Sequence, residues 1–289
     1  MKSSSCTLAQ PMPPPWMRHP GITSGSVGWR MGHGEDYAIR FSEWLRALSA
    51  EDRAKYQEMF PAPKTWVEYY NDDYDFEDID EYECEGVELW EKGGAMRYGR
   101  EQTVERLDAG EAPDYVFFWK PRANALDEAC LGQWQASDFA VDGEKYRCAE
   151  QYMMSEKARV FADREIRAQI MRSESPKGMK ALGKKVRGFD GARWDRVKYA
   201  IVLNGNYHKF AQNAAMRDFL LSTGDRILVE ASPLDAVWGI GIGAEDPKAR
   251  NPRAWRGQNL LGFALMEVRD ELRAVYRNHD LIVWERFDT

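Results

Sequence analysis

The sequence predicts an α+β fold in which helical patterns outnumber short strands. Three observations carry this. Apolar runs of strand length occur at Val116-Phe117-Phe118-Trp119 and at Ile227-Leu228-Val229-Glu230-Ala231. An Asp142-Gly143 pair between two short runs, Phe139 to Val141 and Glu144 to Tyr146, marks a hairpin turn. Most of the other patterned segments carry helix start signals and apolar residues at helical spacing.

In chain order, residues 1–35 contain Pro11, Pro13, Pro14, Pro15 and Pro20 among repeated glycines, and are expected to be disordered or draped over the surface. A short amphipathic helix follows near Ile39 to Leu48, and Ser49 with Glu51 signals a second start running toward Phe60. Glu68 to Glu91 holds twelve acidic residues and no basic one, interleaved with Tyr69, Tyr70, Tyr74, Phe76, Tyr82 and Trp90. It reads as an acidic linker with aromatic anchors, or as a flap that competes with polyanions. Strand 115–119 comes next, ended by Pro121, and then the hairpin. Helices are expected from Cys148 onward, from Asp163 as cap through Ile170, and from Ser175-Pro176 until Gly188. Trp194 to Leu203 and Tyr207 to Leu221 read as two further helices, the second stopped by Gly224. After strand 227–231, Asn259 is placed to cap a helix whose stripe is Leu261, Ala264, Leu265, Val268 and Leu272, and Leu281 to Trp284 reads as an edge strand. The expected organisation is an N-terminal extension over 1–112 with its acidic segment at 68–91, a main domain over 113–275 and a tail over 276–289.

The formal net charge of -7 is unevenly distributed. Residues 1–112 carry 12 basic and 22 acidic side chains, whereas residues 113–289 carry 28 and 25. Between Lys157 and Lys198 there are 13 basic and 5 acidic residues, a segment suited either to a phosphate-bearing ligand or to ordinary solvated helix faces. Cys6, Cys84, Cys130 and Cys148 form no Cys-x-x-Cys pair and no cluster with the four histidines, so neither a disulfide framework nor structural zinc is expected. No apolar run has membrane-spanning length and the N-terminus lacks a secretory pattern, which sets the expectation of a cytoplasmic or nuclear protein without membrane contact. A monomer with no cofactor and no metal is expected.

The helix at Cys148-Ala149-Glu150-Gln151-Tyr152-Met153-Met154-Ser155-Glu156-Lys157-Ala158 is the chemically unusual one. Glu150, Met154, Lys157 and Phe161 fall on one stripe, so an inward stripe would carry a carboxyl and an amine. Seven residues of helical rise separate the two by about 10 Å, too far for a simple pair. They flank a cavity, or else the helix is rotated so that Glu150 and Lys157 reach solvent and Tyr152 and Met153 are buried instead. Trp-Gly-Ile-Gly-Ile-Gly at 238–243 is a glycine loop able to bring amides to a phosphate, or simply a turn; it matches neither a Walker motif nor a full dinucleotide fingerprint.

Several segments then fall into a familiar order. They are Leu131-Gly132-Gln133-Trp134, Ala149-Glu150-Gln151-Tyr152 with Lys157-Ala158, Leu182-Gly183-Lys184, Gly188-Phe189-Asp190, Trp194, Lys209-Phe210 and Thr223-Gly224-Asp225. Glu230-Ala231-Ser232-Pro233-Leu234-Asp235, Trp238-Gly239 and Gly257-Gln258-Asn259-Leu260-Leu261-Gly262 complete it. Over residues 115–275 the chain resembles the NADAR (YbiA-like) domain family, with Leu-Gly-Gln-Trp departing from the Leu-Ser-Asn-Phe of many members. The resemblance implies a compact, mainly helical α+β domain with a small sheet, and hydrolysis of N-glycosidic bonds to ribose. It implies that Glu150, Lys157, Trp194, Asp235 and Trp238 occupy site positions, with Lys157 matching a lysine assigned to a Schiff base with the opened ribose.

The residues make chemical sense of that implication. Breaking a ribosyl C–N bond requires a proton for a poor nitrogen leaving group and stabilisation of positive charge at the anomeric carbon. Glu150 can do either, Asp235 can position a hydroxyl or activate water, and a desolvated Lys157 becomes a competent amine nucleophile. Trp134 and Trp238 can stack a base or wall the pocket, while Gly239, Gly257 and Asn259 offer backbone and side-chain contacts at a loop and a helix start. The expected substrate is ADP-ribosylated guanine in DNA or RNA, with ADP-ribose as the ligand. The alternatives are a phosphoribosylamino intermediate of riboflavin synthesis, or retention of ADP-ribose by a module without turnover.

Overall fold

The computed structural model describes residues 8–32, 34–66, 69–70, 85–92, 96–123 and 126–287. Helices α1 (Pro15–Arg18), α2 (Glu35–Ala47), α3 (Ala50–Met59), α4 (Glu85–Lys92) and α5 (Arg100–Asp108) precede strand β1 (Tyr115–Phe118). The hairpin β2 (Phe139–Val141) and β3 (Glu144–Tyr146) leads into α6 (Ala149–Val160), α7 (Arg164–Arg172), α8 (Pro176–Gly183), α9 (Gly191–Gln212) and α10 (Ala214–Ser222). Strand β4 (Ile227–Glu230) and helix α11 (Leu260–Val275) complete the framework. The fold is α+β and mainly helical.

Strands β1 and β4 are parallel, with Tyr115 opposite Ile227 and Phe118 opposite Glu230. A parallel pair needs a crossover and cover on its faces. Here the crossover is the whole run from the hairpin to α10, and α11 packs on β4 and α9. Ile227, Leu228 and Val229 are fully buried as a result. Helix α6 lies against α7, α8 and α9, so its residues from Ala149 to Glu156 are all buried. The reading with Glu150 turned to solvent is therefore corrected: Glu150 is buried, and so are Tyr152 and Met153, because the helix is covered on more than one side.

The local start signals form as expected. Ser49, Asp163 and Ser175 each accept a backbone N–H of the helix that follows. Asp142 and Gly143 both adopt positive φ, at 47° and 83°, as a two-residue hairpin turn requires. Three expectations are corrected. The helix from Ser175 ends at Gly183, with Gly188 five residues later in the left-handed region. Trp194 to Leu203 and Tyr207 onward belong to the single helix α9, and the break comes after Gln212. Gly205 sits mid-helix because an added Cβ would lie 2.5 Å from the Tyr152 ring, so the glycine serves the α6–α9 approach. Leu281 to Trp284 forms no edge strand; Leu281 ends one short 3-10 turn, His279–Leu281, Trp284 opens another, Trp284–Arg286, and the segment pairs with neither two-stranded sheet.

The expectation of a disordered or draped segment also fails for residues 11–17, which are buried. Trp16 packs edge-on against Trp66, Tyr69 and Tyr70, and belongs to the same core cluster as β4 and α11. Within the acidic stretch, Glu68 and residues 71–84 lie outside the described residues; Tyr69 and Trp90 are buried anchors. Among the described residues, no helix is long and apolar enough to cross a membrane, and no group of three or more His, Cys, Asp or Glu is arranged to hold a metal.

Candidate active site

Ligands of sheets with parallel strands collect at the carboxyl ends of those strands. At that end of β4 the chain turns through Ser232-Pro233-Leu234-Asp235 and returns to α11 at Gly257. This loop is held by its own backbone. Ile240 N–H donates to the Glu230 carbonyl, Gln258 to Ala236, Asn259 to Gly239 and Leu261 to Trp238. Gly257 lies so close to the Gly239 carbonyl that a Cβ there would collide with it. Asp235 Oδ1 accepts from the N–H groups of Val237 (3.0 Å) and Trp238 (2.9 Å), and Oδ2 lies 3.4 Å from Lys180 Nζ. Asp235 thereby fastens the loop to α8.

Glu150, in the first turn of α6, is the buried acid the stripe predicts. Its backbone N–H donates to Gln133, which ties the start of α6 to the turn carrying Trp134. Its side chain is 2% exposed, and Oε1 has no hydrogen-bond partner among the described residues. Burial pushes its pKa up to about 7, opposed by the Lys180 charge and a hydrogen bond from Trp134, and reinforced by Asp235. Glu230, the last residue of β4, is partly exposed as a residue, but its carboxyl is shifted in the same direction. Burial pushes it up to about 8, with Asp235 and Glu150 adding to the rise and Lys180 opposing it, and its Oε2 is buried without a partner. Glu150, Glu230, Asp235, Lys180 and Trp134 thus form one electrostatic cluster, with Lys180 Nζ 6.0 Å from the Trp134 ring.

Lys157 lies on the last turns of α6, in a different neighbourhood. Its ammonium stands over the rings of Phe189 at 4.2 Å and Trp194 at 5.5 Å. Burial lowers its pKa. The structure therefore brings together Glu150, Asp235 and Trp134 in one group, and Lys157 with Trp194 in another, joined through one helix. Trp238 is half-buried on the glycine loop, with its backbone N–H on Asp235.

Gly239, Gly257 and Asn259 have backbone duties. Asn259 is fully buried at a left-handed φ of 56° and makes no side-chain cap to α11. Its amide donates to the Leu228 carbonyl (2.9 Å) and its Oδ1 accepts from Glu230 N–H (3.0 Å), so it aligns the end of β4 instead of reaching outward. Two residues were not singled out from the sequence as site members. Glu230 reads there as the polar end of an apolar strand, and Lys180 as one cation in a basic segment; the available signal was a carboxyl immediately ahead of the Asp235 loop. Lys209 is a third functional-looking group with a structural task. It is fully buried, burial lowers its pKa to about 8, and Nζ donates to the carbonyls of Cys130 (2.7 Å) and Gly132 (3.0 Å), which holds the Trp134 turn.

The fold and this cluster define an α+β protein with a group of buried carboxyls beside a tryptophan. The chain belongs to the NADAR domain family, whose model matches residues 117–273. It is 40% identical over 166 residues to an N-glycosidase of Acanthamoeba polyphaga mimivirus, covering 56% of this chain and 98% of that protein. It is 37% identical over 150 residues to protein irg-1 of Caenorhabditis elegans, covering 50% of this chain and 71% of that one. It is 32% identical over 146 residues to N-glycosidase YbiA of Escherichia coli strain K12, covering 50% and 82% respectively. The NMR structure of the E. coli protein YbiA aligns with a TM-score of 0.46 and 26% identity, over 62% of this chain and 90% of that one.

Proposed function

We propose that this protein is an N-glycosidase that cleaves the bond between a ribosyl anomeric carbon and a base nitrogen, and that its substrate is ADP-ribosylated guanine in DNA or RNA. The observation that carries the reading is Glu150: a buried carboxyl with a free Oε1, poised near neutral pH and touching a tryptophan. A carboxyl whose pKa lies near the working pH is both protonated often enough to act and acidic enough to give the proton up. Glu150 donates its proton to the leaving nitrogen as the C–N bond breaks and the bonding pair moves to that nitrogen. The Lys157 amine then adds to the anomeric carbon, ring opening gives an imine, and water hydrolyses the imine to release the sugar and the free lysine. Asp235 holds the loop and orients Lys180; Trp134, Trp194 and Trp238 wall the sites of base and sugar. Lys177 on α8, Lys184 and Lys185 just after it, and Arg193 and Arg196 on the first turns of α9 are exposed, a favourable track for phosphates.

Incubation with an ADP-ribosylated guanine oligonucleotide, following ADP-ribose release, tests this directly. Glu150→Gln is expected to keep ADP-ribose binding and to lose about 10²- to 10⁴-fold in single-turnover rate. Activity of the variant within a few-fold of the unaltered protein removes Glu150 from the mechanism. Turnover restricted to small phosphoribosylamino compounds retains the glycosidase and removes the nucleic-acid substrate.

A further inference from the structure

Among the described residues, the cluster at the end of β4 joins the ammonium of Lys180 to three carboxyl groups. Lys180 faces Asp235, Glu150 and Glu230, and it is drawn to Asp235 at 3.4 Å. Asp235 is also spent on two backbone N–H groups, so its oxygens are largely committed. Glu150 and Glu230 are not. Each has one buried oxygen without a hydrogen-bond partner among the described residues. A buried polar atom left unpaired is costly, and its persistence at a site points to a group that arrives with the ligand.

The backbone around Glu230 shows that its placement is enforced. Its N–H is taken by Asn259 Oδ1, and its carbonyl accepts from Ser232 and Ile240, each at 2.9 Å. Asn259 is itself fully buried and bonded to Leu228. The main chain on both sides of Glu230 is thus fixed, and the side chain is delivered from the carboxyl end of a buried strand into the cluster with Glu150. Nothing in this packing needs an acid at that position, since Ile227 to Val229 already supply the apolar part of the strand.

We infer that Glu230 is the residue that holds the ribose 2-hydroxyl beside the reacting carbon. This rests on the N-glycosidase reading of the site. A neutral carboxyl offers one donor and an acceptor, which matches a sugar hydroxyl that both gives and takes a hydrogen bond. It does not match a phosphate, for which three clustered acids are the wrong environment; phosphates belong on the basic face of α8 and α9. A hydrogen bond to the hydroxyl next to the anomeric carbon strengthens as charge develops there, so Glu230 selects ribosyl over 2-deoxyribosyl substrates and does so most strongly in the transition state.

Two readouts test this on the full chain. The first is binding of ADP-ribose and of its analogue lacking the 2-hydroxyl on the terminal ribose. The second is single-turnover cleavage of the corresponding pair of N-glycosidic substrates. The unaltered protein is expected to prefer the hydroxylated member at least about 10-fold in binding, and by more in rate. Glu230→Ala brings the two members within about 2-fold by slowing or weakening only the hydroxylated one, while Glu230→Gln, which can still donate and accept, keeps part of the preference. Glu150→Gln slows both members alike. Equal losses on both members in Glu230→Ala, or absence of any preference in the unaltered protein, overturn the assignment. A chain that discriminates in binding but cleaves neither compound overturns the glycosidase reading and leaves the role of Glu230 in ribose recognition standing.

Discussion

Glu150 and Glu230 are acids that folding forces toward the neutral state, and that has a consequence measurable without substrate. Unfolded, each titrates near the ordinary value of 4.5; folded, they rise to about 7 and about 8. The folded chain therefore holds more protons than the unfolded one between these limits. The resulting stability is fully present below the unfolded value and is lost as pH rises through 7 and 8. Glu150→Gln and Glu230→Gln cannot lose it. Each variant is expected to resemble the unaltered protein at pH 5 and to exceed it at pH 8 by on the order of 2 kcal/mol. Denaturant unfolding at the two pH values checks this, and a variant equally destabilised at both contradicts it.

Lys157 faces opposing influences at the same scale. The rings of Phe189 and Trp194 favour the ammonium, while burial favours the free amine and lowers the pKa. Borohydride added during turnover is expected to convert an imine to a stable amine, giving one added sugar-bearing unit by intact mass, mapped to Lys157. Lys157→Arg should abolish the adduct because a guanidinium stays protonated. Normal turnover with no adduct at all would replace the imine with direct attack by water.

At the scale of elements, what was legible in the sequence was what is locally encoded. Ser49, Asp163 and Ser175 each bond within their own first turn, and Asp142-Gly143 sets its hairpin without help from elsewhere. What was not legible depends on a distant partner. Gly205 looks like a helix break, yet it is the point where Tyr152 crosses α9, with Asn204 Nδ2 donating to the Tyr152 hydroxyl at 2.7 Å. Glu150 stood out because a charge on an apolar stripe is visible in one helix. Glu230 did not, because its partners Asp235, Lys180 and Glu150 come from three separate segments. Gly205→Ala tests the contact: alanine gains helix propensity of about 1 kcal/mol, but its methyl group meets a ring fixed by Asn204 and packed against Tyr146 at 5.1 Å. The net effect is expected to be a destabilisation of about 1–3 kcal/mol. Thermal unfolding at or above the unaltered midpoint would show that Tyr152 can move aside.

At the scale of the whole molecule, the family model begins at residue 117, whereas the core begins far earlier. Thr23 bonds Asp142 at the hairpin turn, and the Pro20 carbonyl takes His208 Nδ1 at 2.8 Å. Lys64 N–H donates to Glu271 on α11 at 2.6 Å, and Asn278 Nδ2 reaches the Met59 carbonyl at 2.8 Å. These bonds reach the hairpin before α6, the C-terminal part of α9 and the C-terminal end of α11, so the N-terminal layer is tied to elements of the family domain. Trp16 is the largest of the fully buried side chains that support this N-terminal layer, 2% exposed among Trp66, Tyr69 and Tyr70. Removing such a ring costs about 3–5 kcal/mol. If the layer and the site unfold as one unit, Trp16→Ala lowers a single calorimetric transition by several degrees, and the loss of ligand binding on heating shifts with it. Two transitions, with only the lower one moved and binding following the upper, would make the N-terminal layer an independent addition to the NADAR domain.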